Sequence, residues 1–133
     1  MNLKVGDNDS FSETITQEKI NEFARISGDI NPVHIDAEYA KTTRFKGCVA
    51  HGVMIDAMIS RVLGTQFPGP GTILLSLFTK YLKPVYCDTV ITVRITISAI
   101  KEDKPIFTLR TKAMNQFGEL VAEGEAVILF EPN

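Results

Sequence analysis

Two side chains that can move protons, the carboxylate of Asp29 and the imidazole of His34, lie five positions apart in the chain. The segment between them is too polar for a protein core and contains Asn31 and Pro32. Pro32 fixes its own φ and biases Asn31 towards an extended conformation, so the span from carboxylate to imidazole is held in one shape. A carboxylate and an imidazole that hold one water molecule can remove and deliver its proton. The spacing therefore indicates an acid–base pair in a loop that Asn31 helps to fix.

A glycine further along the chain offers a site for negative charge. Gly52 follows His51 and precedes a long apolar run that predicts a helix. The first N–H groups of a helix have no partner within it and carry partial positive charge. Glycine also lets a substrate oxygen approach closely, because it has no side chain. We therefore expect the Gly52 N–H to stabilise an oxyanion, and we interpret His51 as a structural residue that hydrogen-bonds around the loop.

The same residues also have simpler interpretations. Asp29 alone is typical of a turn, and a single histidine such as His34 is more often structural than catalytic; the pairing of the two favours function. Cys48 and His51 could supply two zinc ligands, with His34 or Asp29 completing the site. Only two histidines exist and nothing else offers a second ligand pair. We therefore predict no metal.

The composition limits the classes of function. The 133 residues carry a net charge of -2 without a basic patch, which argues against nucleic-acid binding. The sequence has no apolar window of about 18 residues, so no membrane span is predicted. The N-terminus also lacks the apolar stretch of a signal peptide. Two cysteines are too few for a disulfide scaffold and indicate a reducing compartment. We expect a cytoplasmic protein.

The periodicity of apolar residues predicts the elements that must position these groups. Helices are predicted at residues 17–27, starting from a Thr16 cap, at 37–42, starting from an Asp36 cap, and at 51–63, ended by Gly64. Strands are predicted at 10–16, 72–82, 91–99, 106–114 and 120–130. The third helix is apolar nearly all the way round and must be covered on several sides. A curved antiparallel sheet wrapped around this long central helix is the hot-dog fold, an α+β arrangement, which we expect to form a single domain over residues 1–133.

With these elements in place, the chain resembles the MaoC-like hydratases, and most closely the short (R)-specific enoyl-CoA hydratases. The resemblance rests on stretch 27–36, which contains Asp29 and His34, and on His51-Gly52 at the matching distance. It continues through residues 42–45, 68–71 and 101–105 and so covers almost the whole chain. This combination is far more specific than a lone histidine or glycine pair.

The resemblance implies roles for individual residues. Asp29 and His34 would hold the water that adds across an enoyl double bond, and the Gly52 N–H would bind the thioester oxygen. Ser60 and Leu63 would line the acyl pocket, to which we add Asn31 and Asp56 as substrate-binding candidates. The family also implies a homodimer whose sheets join edge to edge, with coenzyme A arriving as part of the substrate and no separate cofactor.

The activity implied is the reversible hydration of trans-2-enoyl-CoA to (R)-3-hydroxyacyl-CoA, where the stereochemistry rests on the resemblance alone. Two alternatives remain: a hot-dog thioesterase acting on similar acyl-CoA ligands, and a non-catalytic module that binds acyl thioesters. The length of the acyl chain and the carrier, coenzyme A or acyl-carrier protein, stay open.

Asp56 is the unexpected residue in this pattern. It falls on one helical stripe with Gly52, Ser60 and Leu63, the stripe that should face the substrate. Because burial of an unpaired carboxylate is costly, we expect a cationic partner from another segment or subunit. The alternative is that Asp56 makes part of the pocket polar and disfavours long acyl chains.

Overall fold

The computed structural model describes residues 2–132. Its elements are β1 (Asn8–Ile15), α1 (Gln17–Ser27), α2 (Pro32–Ile35), α3 (Ala37–Lys41), α4 (Val53–Thr65), β2 (Thr72–Tyr81), β3 (Thr89–Ile100), β4 (Ile106–Asn115) and β5 (Leu120–Phe130). The predicted strands and helices are all present, with ends that differ by at most two residues. The short helix α2 was not predicted.

The five strands form one antiparallel sheet in the order β1-β3-β4-β5-β2. Helix α4 packs against β2, β3 and β1. Because β1 and β2 lie at opposite edges, a sheet that touches α4 with both of them has to curve around the helix. The buried side chains of β3 alternate along the strand, as a half-buried strand requires. The predicted α+β arrangement, a sheet around a central helix, is confirmed.

Helix α4 differs from the prediction at both ends. Gly52 is its N-cap rather than a helical residue, and the predicted end at Gly64 is wrong. The helix continues because Gly64 does not adopt a left-handed φ. It ends at Gln66, whose N–H donates to the Val62 carbonyl at 3.0 Å, shortly before Pro68.

One face of α4 lies open in the single chain. Its buried residues are Met54, Ile55, Met58, Ile59, Val62 and Leu63. The opposite side, which includes Val53 and Ser60, is exposed. The expectation that the helix is covered on several sides is met for its buried face, whereas the face with Val53 and Ser60 is open in the single chain. No helix within residues 2–132 is both long enough and apolar enough to cross a membrane.

The helices before α4 begin and end where the sequence provides caps. The Thr16 hydroxyl accepts from the Lys19 N–H at 3.1 Å and starts α1. Gly28, with a left-handed φ of 80°, ends it and turns the chain towards Asp29. Asp36 caps α3 as predicted, by accepting from the Tyr39 N–H. These local signals fix the position of the loop that carries the candidate acid–base pair.

Candidate active site

Asp29 lies in the turn that follows α1. Its N–H donates to Ser27 Oγ at 3.1 Å, and its Oδ1 accepts from the Asn31 N–H at 3.3 Å. The side chain is exposed in the single chain. Within residues 2–132 its second carboxylate oxygen has no protein partner, so this oxygen is free to bind a water molecule.

His34 does not lie in a loop, as the sequence suggested, but in the short helix α2. The reason is local: the Asn31 side chain accepts from the Val33 N–H at 3.2 Å, and Pro32 occupies the first helical position, where its fixed φ suits a helix. His34 Nδ1 lies 2.7 Å from the Val49 carbonyl oxygen. A carbonyl can only accept, so Nδ1 carries the proton in the neutral ring and Nε2 presents a lone pair.

His51 contacts both the Asp29 turn and the His34 ring. It is 2% exposed, and its Nε2 donates to the Asp29 carbonyl at 2.9 Å. Its ring stacks on His34 with centroids 3.8 Å apart and also meets the edge of Phe23. His51 therefore has the structural role that the sequence suggested, since it holds the backbone of Asp29 and the ring of His34 together.

We predict that His51→Phe lowers the free energy of unfolding by about 1–2 kcal/mol, because the Asp29 carbonyl loses its donor while the ring stacking remains. Urea denaturation measures this change. Tyr86→Phe is a matched control: it also removes a donor to a backbone carbonyl, that of Phe45 at 2.8 Å, but at a partly exposed position. Tyr86→Phe should lower the free energy of unfolding by no more than about 0.5 kcal/mol. Equal costs for both variants would contradict the role given to His51.

The three side chains form a tight cluster. One carboxylate oxygen of Asp29 and one ring nitrogen each of His34 and His51 lie within 4.8 Å of one another. This set could in principle offer three metal ligands. A metal is bound in the plane of an imidazole, however, and the two rings are stacked with an interplanar angle of only 26°, so their lone pairs do not converge on one point. The arrangement fits a water molecule between Asp29 and His34 better than an ion.

Gly52 immediately follows His51 and is exposed. Within residues 2–132 its N–H has no acceptor. A cavity of about 310 Å³ opens beside it, lined mainly by apolar groups that include Val49, Ile55 and Tyr81. The Val49 carbonyl also fixes His34, so this cavity adjoins the acid–base pair although neither Asp29 nor His34 lines it. A free backbone donor next to a cavity suits the oxygen of a bound carbonyl compound.

Asp56 has a partner, but not the cation that was expected. The Tyr81 hydroxyl donates to Asp56 Oδ2 at 2.5 Å. Partial burial and this hydrogen bond raise the pKa of Tyr81 to about 12, so the phenol keeps its proton as a permanent donor. Within residues 2–132 no cation pairs with Asp56, because the end of β2 places a neutral phenol beside the first turns of α4; a cation from a second subunit stays a prediction. Sequence reasoning missed Tyr81, and its only signal was the predicted strand 72–82.

The structure brings the remaining candidates together only in part. Ser60 is exposed on the open face of α4, whereas Leu63 is 1% exposed and belongs to the core. Asn31 uses its side-chain oxygen to cap α2. Contacts of these three residues with a substrate stay predictions.

Taken together, the sheet around α4 and the carboxylate–imidazole pair before its N-terminus define a hot-dog protein with an acid–base site. Residues 6–116 match the family described as MaoC like domain. The chain belongs to this MaoC-like family.

Individual relatives are similar over nearly their whole length. The chain is 36% identical to the (R)-specific enoyl-CoA hydratase of Aeromonas caviae over 126 residues, 95% of this chain and 94% of that protein. It is 38% identical to the (R)-specific enoyl-CoA hydratase of Rhodospirillum rubrum over 127 residues, 96% of this chain and 88% of the relative. A solved structure of an R-hydratase from Pseudomonas aeruginosa in the unliganded form superposes with a TM-score of 0.94 at 37% identity, covering 98% of this chain and 84% of the other.

Proposed function

We propose that this protein catalyses the reversible hydration of trans-2-enoyl-CoA to (R)-3-hydroxyacyl-CoA. The observation that carries the proposal is the cluster in which the Asp29 carboxylate and the His34 ring lie within 4.8 Å of each other. The two (R)-specific hydratases that are 36% and 38% identical over nearly the whole chain support the substrate class and the stereochemistry.

The hydrogen bond at His34 supports a division of roles between the two side chains. In the neutral ring with Nδ1–H donating to Val49, Nε2 accepts a hydrogen from the water. Asp29 then accepts the other hydrogen, and we assign it as the base that takes this proton while the oxygen attacks C3. With Nε2 as an acceptor, we assign the return of this proton to C2 to Asp29. One water thus supplies both the hydroxyl and the hydrogen.

Negative charge develops on the thioester oxygen during the attack at C3. We assign the Gly52 N–H as its donor, because this group is free, exposed and at the start of α4. Donors of this kind contribute about 2.7–4 kcal/mol to the transition state in other enzymes. No organic cofactor or metal is needed, since coenzyme A is part of the substrate.

The proposal is tested by following the loss of enone absorbance with crotonyl-CoA and then determining the chirality of the product. Hydration to the (R)-alcohol supports it, and the (S)-product contradicts its stereochemistry. Release of free thiol would identify a thioesterase instead. Absence of any turnover, together with binding of the thioester, would identify a non-catalytic binding module.

We further propose that the protein is a homodimer joined through β2. This strand is an edge of the sheet, and its exposed apolar side chains include Ile73, Leu75 and Phe78. An apolar edge strand of this length pairs with another strand or aggregates. Light scattering should give a molar mass of about twice the 14.7 kDa of the chain, and a stable monomer would contradict the proposal.

The cytoplasm is the compartment we propose, in agreement with the free thiols of Cys48 and Cys87.

A further inference from the structure

The hydrogen-bonded pair of Asp56 and Tyr81 lies beside Gly52, the predicted donor to the thioester oxygen. Asp56 is four positions after Gly52 and therefore on the same side of α4, one helical turn or about 5.4 Å along the axis. Ser60 continues this open stripe by one more turn and is exposed. The Tyr81 ring contacts Gly52, and its hydroxyl reaches Asp56. The pair thus lies one helical turn along α4 from the predicted thioester site, and Tyr81 also lines the cavity beside Gly52.

One carboxylate oxygen of this pair has no hydrogen-bond partner from the residues that the structure describes. Asp56 Oδ2 accepts from Tyr81, but Asp56 Oδ1 is buried and has no partner among residues 2–132. A carboxylate is an unfavourable neighbour for hydrocarbon, because an apolar chain offers it no hydrogen bond.

The sheet continues the polar character on the same face. Thr79 lies two residues before Tyr81 in β2 and therefore points to the same side of the sheet. Thr79 and Thr111 both stand opposite Gly124, one on each side of it. Their hydroxyls are buried without a partner in the described part of the chain, and Thr111 is 1% exposed. Buried hydroxyls without a partner are unusual, and here they add polar groups to the sheet next to Tyr81.

We propose that Asp56 and Tyr81 together determine specificity for the acyl group, by forming a polar stop that restricts the enzyme to 2-enoyl thioesters with short apolar chains. This inference rests on the proposed function. One helical turn from Gly52 corresponds to roughly four carbon–carbon bonds of an extended chain. A four-carbon acyl group that runs along this stripe ends before the pair, whereas an eight-carbon group must pass its polar groups without hydrogen-bonding to them.

The test uses the double variant Asp56→Ala/Tyr81→Phe, which removes both polar groups at once and so leaves neither without its partner. The phenyl ring keeps its contact with Gly52. The measured quantity is the ratio of kcat/KM for trans-2-octenoyl-CoA to that for crotonyl-CoA. We expect this ratio to rise about tenfold or more over wild type. Asp56→Asn, which keeps the shape and removes the charge, should shift the ratio in the same direction by a smaller factor and serves if the double variant does not fold.

A second measurement separates this inference from the proposed function. Calorimetric affinities for saturated butyryl-CoA and octanoyl-CoA need no turnover, so they report on the acyl site even if crotonyl-CoA is not hydrated. The preference for octanoyl-CoA should rise in the double variant. The control Asp103→Ala/Tyr39→Phe removes the same two groups at exposed positions and should leave both ratios unchanged. Unchanged ratios in the Asp56 variants would overturn the proposal, and a shift in affinity without any hydration would overturn only the proposed function.

Discussion

Replacing Asp29 by Asn is expected to lower kcat for crotonyl-CoA by about 10²-fold or more while the fold is retained. Asn preserves the side-chain oxygen that accepts from the Asn31 N–H at 3.3 Å, so the turn keeps its shape. An amide cannot take the proton of the attacking water, which removes the chemical step assigned to Asp29. Single-turnover absorbance measurements report the rate, and circular dichroism reports the fold.

The decrease in kcat for His34→Ala should be of similar size, because the water is then bound by Asp29 without the imidazole. Since both groups act on the same molecule of water, the double variant should lose little more than either single one. Asp9→Asn is the control, because Asp9 also accepts from a backbone N–H, that of Ser10 at 2.8 Å, but lies in β1 away from the site. A rate close to wild type for Asp29→Asn or His34→Ala would refute the assignment of the acid–base pair.

The parts of the structure that the sequence predicted well are those with local causes. Alternation of apolar residues over 91–99 and 120–130 requires nothing beyond the strand itself. The caps at Thr16 and Asp36 likewise act within three residues. The pairing of Asp29 and His34 was visible because only five positions separate them.

The parts that were missed depend on short or distant interactions. Helix α2 has four residues, too few for any periodicity, and the only signal for it was Asn31 followed by Pro32. The partner of Asp56 comes from 25 positions away and depends on how β2 is aligned with α4. Gly124 looked like one more member of an alternating strand, yet a Cβ there would collide with the Phe78 carbonyl. Such close approaches follow from tertiary packing and leave no pattern in the sequence.

Gly52 was recognised from a local sequence pattern, but the reason for its small size comes from a distant tertiary contact. Its place before an apolar helix predicted a backbone donor, but only the structure shows why the residue cannot be larger. A Cβ at Gly52 would lie 2.9 Å from Cδ1 of Tyr81 and 3.1 Å from Cε1. The ring cannot easily move aside, because its hydroxyl is bonded to Asp56 at 2.5 Å. Part of the strain therefore falls on the backbone that carries the N–H.

Gly52→Ala should lower kcat and kcat/KM for crotonyl-CoA together, by about 10²-fold, since the displaced N–H serves the transition state rather than substrate binding. Steady-state kinetics over a range of crotonyl-CoA concentrations measure both constants. Gly64→Ala is the matched control on the same helix, where an added Cβ meets no atom within 4 Å. That variant should keep its activity and gain about 0.4–1 kcal/mol in stability, because alanine restricts the unfolded chain. A Gly52→Ala enzyme with raised KM and unchanged kcat would show that Gly52 only makes room for the substrate, and the oxyanion role would then have to be given up.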